Sequence, residues 1–479
     1  MKKTIYLLTG LLLASLILIA CGGNDANSNA SENNEEEVTL TFWNRYAELR
    51  DGLESFIAGF EEEHPHITID WQEIPGGEAE TQIRTALSED DLPDLFTDTM
   101  AIKELVDLGA IKNLDEIFTD EVRDQFHAGT WYENGTTIEG SVYSFPMMSP
   151  RSKAMMMFYN LDVLEDLGLT EDDVPTDWEE LTEVGNRILA ESDGGISPLM
   201  WNNPGWANAQ LVQMIGTAIT PETPWYYNLK EGVPNLNSQG NVESAQFLKQ
   251  LLDDGIMSDE SVEIGLGTAI ANFAVGNSAF LFSGDWVGGQ LINDNDFENW
   301  EVAPVPTKTG GSYFYPAGSE ATGIHVAENT EHWEEVKLFL EYALENYYKE
   351  VLVDTGAGLP AKMDVEGTPP YEQYNSILEL QEELTLPVPR PEELNQEIVQ
   401  FDRDLSGKLE VGGIGDAIVG YLTNNIDDIE EELSEINEAY TEAFFDTLEE
   451  YPDLSQDDFS FPNWDTNEPF TEEDYEELR

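Results

Sequence analysis

Between Val38 and Phe96 the hydrophobic period switches back and forth, and that switching restricts the fold more than any other feature. Val38, Leu40 and Phe42 alternate with Thr39, Thr41 and Trp43, a spacing that predicts a strand. Leu53, Phe56, Ile57 and Phe60 then recur at helical spacing, and His64-Pro65 stops the run. Ile67, Ile69 and Trp71 give a second strand, residues 78–87 a second helix, and Leu92-Pro-Asp-Leu-Phe96 a turn into a third strand. Strand, helix, strand, helix, strand implies right-handed crossovers and an α/β lobe built on a mainly parallel sheet. A chain of 479 residues has room for two or three such units, at roughly 100–200 residues each.

A second stretch, Phe273 to Trp286, has the same grammar in miniature. Gly276 supplies the left-handed position that ends a helix. Ala279 to Phe282 is long enough for one buried strand, and Ser283-Gly284-Asp285 is turn chemistry. The turn delivers Trp286 just past a strand end, where open α/β sheets place ligands. A core tryptophan is the plainer reading, since buried tryptophan is common.

Charge removes whole classes of function. There are 21 lysines and arginines against 97 aspartates and glutamates, a net charge of -76. Phosphate backbones need a basic surface, so nucleic acid is excluded as a partner. Adhesion to anionic lipid through protein charge is excluded likewise. The charge far exceeds what solubility needs and suits a salty exterior.

The first residues read as an export signal. Lys2-Lys3 precedes an apolar run over 5–20, shorter than the roughly 20 residues of a membrane-spanning helix. The run closes in Leu18-Ile19-Ala20-Cys21, which resembles the bacterial lipobox; the resemblance makes Cys21 the lipidated first residue of the mature chain. Cys21 is the only cysteine, so no intramolecular disulfide can form. Residues 22–37 carry no large apolar side chain and form a tether. The expected location is the extracellular face of the cell membrane, touched only through the lipid.

Several motifs in order carry a broader resemblance. They include the first strand ending in Trp43, His64-Pro65, Pro93-Asp-Leu-Phe96, Tyr143-Ser-Phe-Pro146 and Met157-Phe-Tyr-Asn160. Pro175-Thr-Asp-Trp-Glu-Glu-Leu181 follows, with Thr176 and Glu179 readable as a capping box. Then come Ser283-Gly-Asp-Trp286, Ala303-Pro-Val-Pro306, Gly323-Ile324 and Gly358-Leu-Pro-Ala361. Together, over about 38–445, they resemble the family 1 extracellular solute-binding proteins. The resemblance implies a two-lobed α/β fold joined by a multi-strand hinge. It places one lobe at 38–149 with 305–355 and the other at 150–304 with 356–445. It also implies a carbohydrate ligand held between the lobes, delivery to the membrane permease of an ABC importer, a monomer, no cofactor and no catalysis. Residues 446–479 fall outside the family's minimal length; their spaced aromatics argue for packing along a lobe.

In that family the tryptophan at position 286 stacks on a sugar ring. Sugars present apolar faces ringed by hydroxyls, so they need aromatic platforms and directional polar groups. The candidates near predicted strand ends are Trp43, Asn44, Arg45, Asp98, Trp201, Asn202, Trp206, Asp285, Trp286, Ser319 and Glu320. After Phe96 no tryptophan follows Thr97-Asp98, a departure from the best-known maltose binders that speaks against maltodextrins though not against sugars. Carboxylate pairs are too abundant to single out a hydrolase. Histidine spacing gives no metal site: His64-Pro65-His66 sits in a turn, and Asp294-Asn-Asp296 lacks the glycine and glutamate of a calcium loop. A secreted carbohydrate-active enzyme and a receptor for a cationic ligand such as a polyamine stand as alternatives.

A charge of -76 makes the fold repel itself in dilute buffer, and about 1 M salt shortens the Debye length to roughly 3 Å. The melting temperature is therefore expected to rise from low salt to about 1 M sodium chloride, and equally in potassium chloride, because screening is indifferent to the cation. A flat melting curve across that range would reject this account of the acidity.

Overall fold

The computed structural model of the protein describes residues 36–479 apart from 76–77, 98–99, 128, 134, 202–204, 263, 318–322 and 410–412, with the backbone alone described at 205–206 and 472. The signal segment, Cys21 and all but the end of the tether lie outside the described residues.

The first core forms under a five-stranded sheet. Its order is Ile67–Glu73, Val38–Asn44, Leu95–Phe96, Gly323–Val326 and Phe145–Pro146. The first two strands pair in parallel over their whole length, from Val38 opposite Ile67 to Asn44 opposite Glu73. Alternation sends Leu40 and Phe42 inward, where Phe42 meets Phe339 edge-on. The helix Arg50–Glu63 buries Leu53, Phe56, Ile57 and Phe60 against the same core, the 3.6-residue spacing having put them on one face. Asp94 bolts the third strand in place: its carboxylate accepts from Thr41 N–H and Oγ1, both at 2.9 Å, and from Thr330 Oγ1 at 2.6 Å.

The second core surrounds a four-stranded sheet in the order Trp300–Pro304, Met156–Asn160, Ser278–Ser283 and Ser197–Trp201. Every residue of Ser278–Ser283 is buried. Such two-sided burial explains why this strand reads as a continuous apolar run and not as alternation.

Both sheets are mixed, where the sequence leads one to expect mainly parallel pairing. In each, one strand opposes its neighbours: Gly323–Val326 in the first, Met156–Asn160 in the second. Both follow a passage from the other lobe. The reversed strand is in each case the one the chain enters from the other sheet, and a strand entering from the junction runs away from it. The crossings lie side by side. Ser149 N–H donates to Leu359 carbonyl at 2.8 Å, and Met148 pairs with Pro360. Beyond them, Tyr315–Pro316 pairs in parallel with Thr385–Leu386.

Local details also depart from the sequence reading. The helix Trp178–Glu191 is capped by Asp177, which accepts Glu180 N–H at 2.9 Å, while Glu180 accepts Thr176 N–H at 2.9 Å. The reciprocal pair thus sits one residue later than Thr176 with Glu179, because Asp177 takes the extended backbone of a cap. Gly276 does adopt φ +82, just past the helix Leu266–Ala274. In the terminal segment Phe459, Phe461, Trp464 and Tyr475 are buried.

At Gly216 and Gly240 the helices Gly205–Gly216 and Gln239–Asp253 approach backbone to backbone. A Cβ on Gly240 would stand 2.2 Å from Gly216 carbonyl oxygen. Gly240→Ala must push the helices apart and is expected to cost about 1–3 kcal/mol in chemical denaturation, as overpacking does. Wild-type stability in that variant would show that the contact yields freely.

Candidate functional site

Two loops, one from each sheet, converge on a lysine. On the first lobe the chain leaves the Val38–Asn44 strand and turns. Asn44 is fully buried; its Nδ2 donates to Tyr46 carbonyl at 2.8 Å and its Oδ1 accepts Tyr46 N–H at 3.3 Å. It braces the loop from inside and presents nothing to a ligand, contrary to its place among the expected contacts. Arg45 is held by Thr97, whose hydroxyl accepts its N–H at 2.8 Å. Its guanidinium lies over the Tyr46 ring at 4.2 Å and donates to Tyr46 Oη at 2.7 Å. Its buried Nε has no acceptor among the described residues. Trp43 is half-buried beside Phe96 and Ile83.

On the second lobe the buried strand Ser278–Ser283 ends, and Gly284 lets Trp286 fold back: a Cβ there would lie 2.2 Å from the ring. Trp286 is half-buried and starts the helix Val287–Asn293. Asp285 beside it is buried, and burial pushes its carboxyl up to about 6, opposed by Lys153 and by backbone N–H groups. Tyr371 and Tyr374 stand near enough to feel Asp285, and their hydroxyls donate to Gly356 and Gly358 carbonyls, each at 2.9 Å.

Lys153 links the two sides. It lies on the crossing segment with φ +78, rare for a residue bearing a Cβ. Its charge is felt by Asp285 on one lobe and by Glu48 on the other. Burial raises the Glu48 carboxyl, yet its surface is open to water.

Trp201 has a different fate from Trp286. It is 1% exposed, and its indole N–H donates to Asn208 Oδ1 at 3.0 Å. It is a core residue of the four-stranded sheet and offers no face to a ligand. Asp98, Asn202, Ser319 and Glu320, with the side chain of Trp206, lie outside the described residues.

The sequence reading missed a pocket of about 510 Å³ beside this junction. Its walls include Trp225, Tyr226, Tyr227, Tyr315, Gln210, Arg390 and Asp402. Gln210 joins it to the junction, donating to Lys153 carbonyl at 2.7 Å. Trp225 meets Tyr315 edge-on, and its buried indole N–H has no acceptor among the described residues. Tyr227 Oη donates to Asp402 at 3.0 Å. Burial, with Glu392 nearby, pushes the Asp402 carboxyl up to about 7. The signal was the run Pro224-Trp-Tyr-Tyr227, three aromatics in a loop where no core periodicity asks for them. Flat aromatic faces with amide, carboxyl and guanidinium groups suit a ligand with both apolar faces and hydroxyls. No cluster of metal-ligating side chains occurs among the described residues. None of the described helices is long and apolar enough to cross a membrane.

Known proteins bear on this arrangement. The multiple sugar-binding protein of Streptococcus mutans is 25% identical over 362 residues, covering 72% of this chain and 80% of its own. The melibiose/raffinose/stachyose-binding protein MelE of Bacillus subtilis is 22% identical over 382 residues, 77% of this chain and 85% of its own. Among solved structures, the GacH receptor of Streptomyces glaucescens superimposes with a TM-score of 0.64 at 18% identity, covering 86% of this chain and all of its own. The solute-binding protein RafE, solved with raffinose, gives 0.62 at 17% identity, covering 85% of this chain and 99% of its own. The fold is thus that of two-domain periplasmic binding proteins. The family model of the bacterial extracellular solute-binding proteins matches residues 46–350, well over half the chain, and the chain belongs to that family.

Proposed function

We propose that the protein is the receptor of a carbohydrate ABC importer, lipid-anchored at the outer face of the cell membrane. It binds an oligosaccharide between two lobes, 38–149 with 305–355 and 150–304 with 356–445, and hands it to the permease as a monomer. The observation that carries the carbohydrate reading is the pocket, walled mainly by the second lobe with Tyr315 from the 305–355 segment, where Trp225, Tyr226 and Tyr227 supply ring faces and Gln210 and Asp402 supply hydrogen-bonding groups. Trp286, Trp43 and Arg45 continue the same chemistry at the junction, with Asp98, Asn202, Trp206, Ser319 and Glu320 as further contacts. The names of the relatives, for several sugars and for raffinose, support the ligand class. No bond is broken: closure is driven by ligand contacts made to both lobes.

One observation weighs against a hydrolase at the pocket. A retaining glycosidase needs two available carboxylates about 5–5.5 Å apart. Of the two at this wall, Glu392 is committed to Arg390 through bonds of 2.8 and 3.0 Å.

Calorimetric titration with raffinose, stachyose, maltose and a polyamine tests the ligand class, and binding of the polyamine alone would replace sugar by a cationic ligand. With the best sugar, Trp286→Ala and Trp225→Ala are each expected to lose about 1–3 kcal/mol, the worth of a ring stack and its buried area. That is roughly 5- to 150-fold in dissociation constant. Unchanged affinity with an apo protein destabilised by about 3–5 kcal/mol would make the ring a core residue instead. For the anchor, Cys21→Ser is expected to abolish fatty-acid labelling in cells, since the thiol is the acceptor; equal label on both proteins would remove the anchor.

A further inference from the structure

Residues 386–394 face two ways. Val388, Arg390 and Glu392 line the pocket. The same segment also touches the other lobe. The Arg390 guanidinium lies 4.3 Å from the centre of the Tyr132 ring. Its Nη2 donates to Glu133 carbonyl at 3.3 Å, and Glu133 N–H donates back to Glu393 Oε1 at 3.0 Å. Tyr132 and Glu133 are first-lobe residues: they lead into the hairpin of Thr137–Ile138 and Ser141–Val142, and Val142 is buried in the first core. This contact is separate from the hinge crossings at 148–149 and 359–360.

A second contact between the lobes, Arg403 to Glu104 at 3.7 Å, is far weaker. The Arg403 side chain is 38% exposed, against 18% for Arg390, and exposed pairs contribute little. Arg390 does more than pair. Its planar fork stacks on one lobe while donating to Glu392 on the other, which an ammonium cannot do.

What holds the segment is the C-terminal extension. Tyr475 Oη accepts the Arg390 backbone N–H at 2.8 Å. Phe470 N–H donates to Pro387 carbonyl at 2.9 Å. Phe461, Trp464 and Tyr475 share a small core with Val388 and Phe314. The family model matches residues 46–350, and both this segment and the extension that holds it lie beyond that span.

We propose that Arg390 is the clasp that keeps the two lobes together over the pocket, and that the C-terminal extension positions it through Tyr475. A contact made only when the lobes are together stabilises the closed form, so it slows ligand release and does not speed arrival. The effect on a ligand rests on the pocket being the sugar site; the contact between lobes does not.

Residues 22–479, the chain without its signal segment and Cys21, serve for the test, with Arg390→Lys, Tyr475→Phe and, as a control, Arg403→Gln. Small-angle scattering of the ligand-free proteins reads lobe separation. Stopped-flow reads release of the tightest binder among raffinose, stachyose and maltose. Arg390→Lys is expected to expand the ligand-free protein and to quicken release about tenfold, with association unslowed. Tyr475→Phe should move both in the same direction by less, and Arg403→Gln should move neither. Should Arg390→Lys not fold, Tyr132→Leu removes the stack from the other side. Wild-type scattering and release in Arg390→Lys would overturn the clasp. An open Arg390→Lys beside an unchanged Tyr475→Phe would overturn the role of the extension. If wild type binds none of the three sugars, the sugar reading falls and scattering alone decides the clasp.

Discussion

The hydrogen bond from Ser149 N–H to Leu359 carbonyl, with the Met148–Pro360 pair beside it, ties two crossings between the lobes into one short ribbon. The rest of the architecture follows from those crossings. Each sheet acquires one reversed strand, because a chain arriving from the junction must run away from it. The loops that end the other strands are gathered on the junction side, which is how Glu48 and Asp285, far apart in the chain, both come to feel the charge of Lys153. A lysine at positive φ in this position is strained, and such strain persists only where the surroundings enforce it.

Electrostatics at the junction follows from the same geometry. Asp285 and Asp402 hold their protons unusually well because protein has replaced water around them, and at Asp402 the neighbouring Glu392 charge acts in the same direction. Some of the other carboxylates are managed locally. Asp177 and Asp428 cap helices, accepting backbone N–H groups at 2.9 and 3.0 Å. Glu104 takes Arg84 at 2.6 Å. Surface pairs of this kind are worth about 0–1 kcal/mol each, so they do not offset a net charge of -76. Screening by salt does what internal pairing cannot.

The C-terminal segment lays a small aromatic core against the pocket wall. Residues 446–479 bury Phe459, Phe461, Trp464 and Tyr475 against Phe401, Phe314 and Val388. Large aromatics make such an addition stable with few residues, since each buries a great deal of apolar area. It also packs and hydrogen-bonds behind the pocket wall at 387–390.

Much of the architecture was legible in the sequence because periodicity is local. Leu53, Phe56, Ile57 and Phe60 announce their helix, Val38 to Phe42 their strand, and Gly276 its left-handed turn. The motifs from Trp43 to Ala361 announced the family. Strand direction was not legible, because the reversal of Met156–Asn160 depends on where the chain has come from and not on its own residues. Nor was the difference between two tryptophans at neighbouring strand ends. Trp201 and Trp286 have similar surroundings in sequence, yet Trp201 finds Asn208 and is sealed, while Trp286 rests over Gly284 half-open. Asn44 looked like a ligand contact and serves its own loop instead. The pocket was the largest omission: Trp225, Tyr315, Arg390 and Asp402 lie far apart in the chain, and only packing brings them to one wall. Sequence alone determined the class, the charge and the period of each element; burial and the direction of each side chain were decided in three dimensions, because both depend on residues distant in the chain.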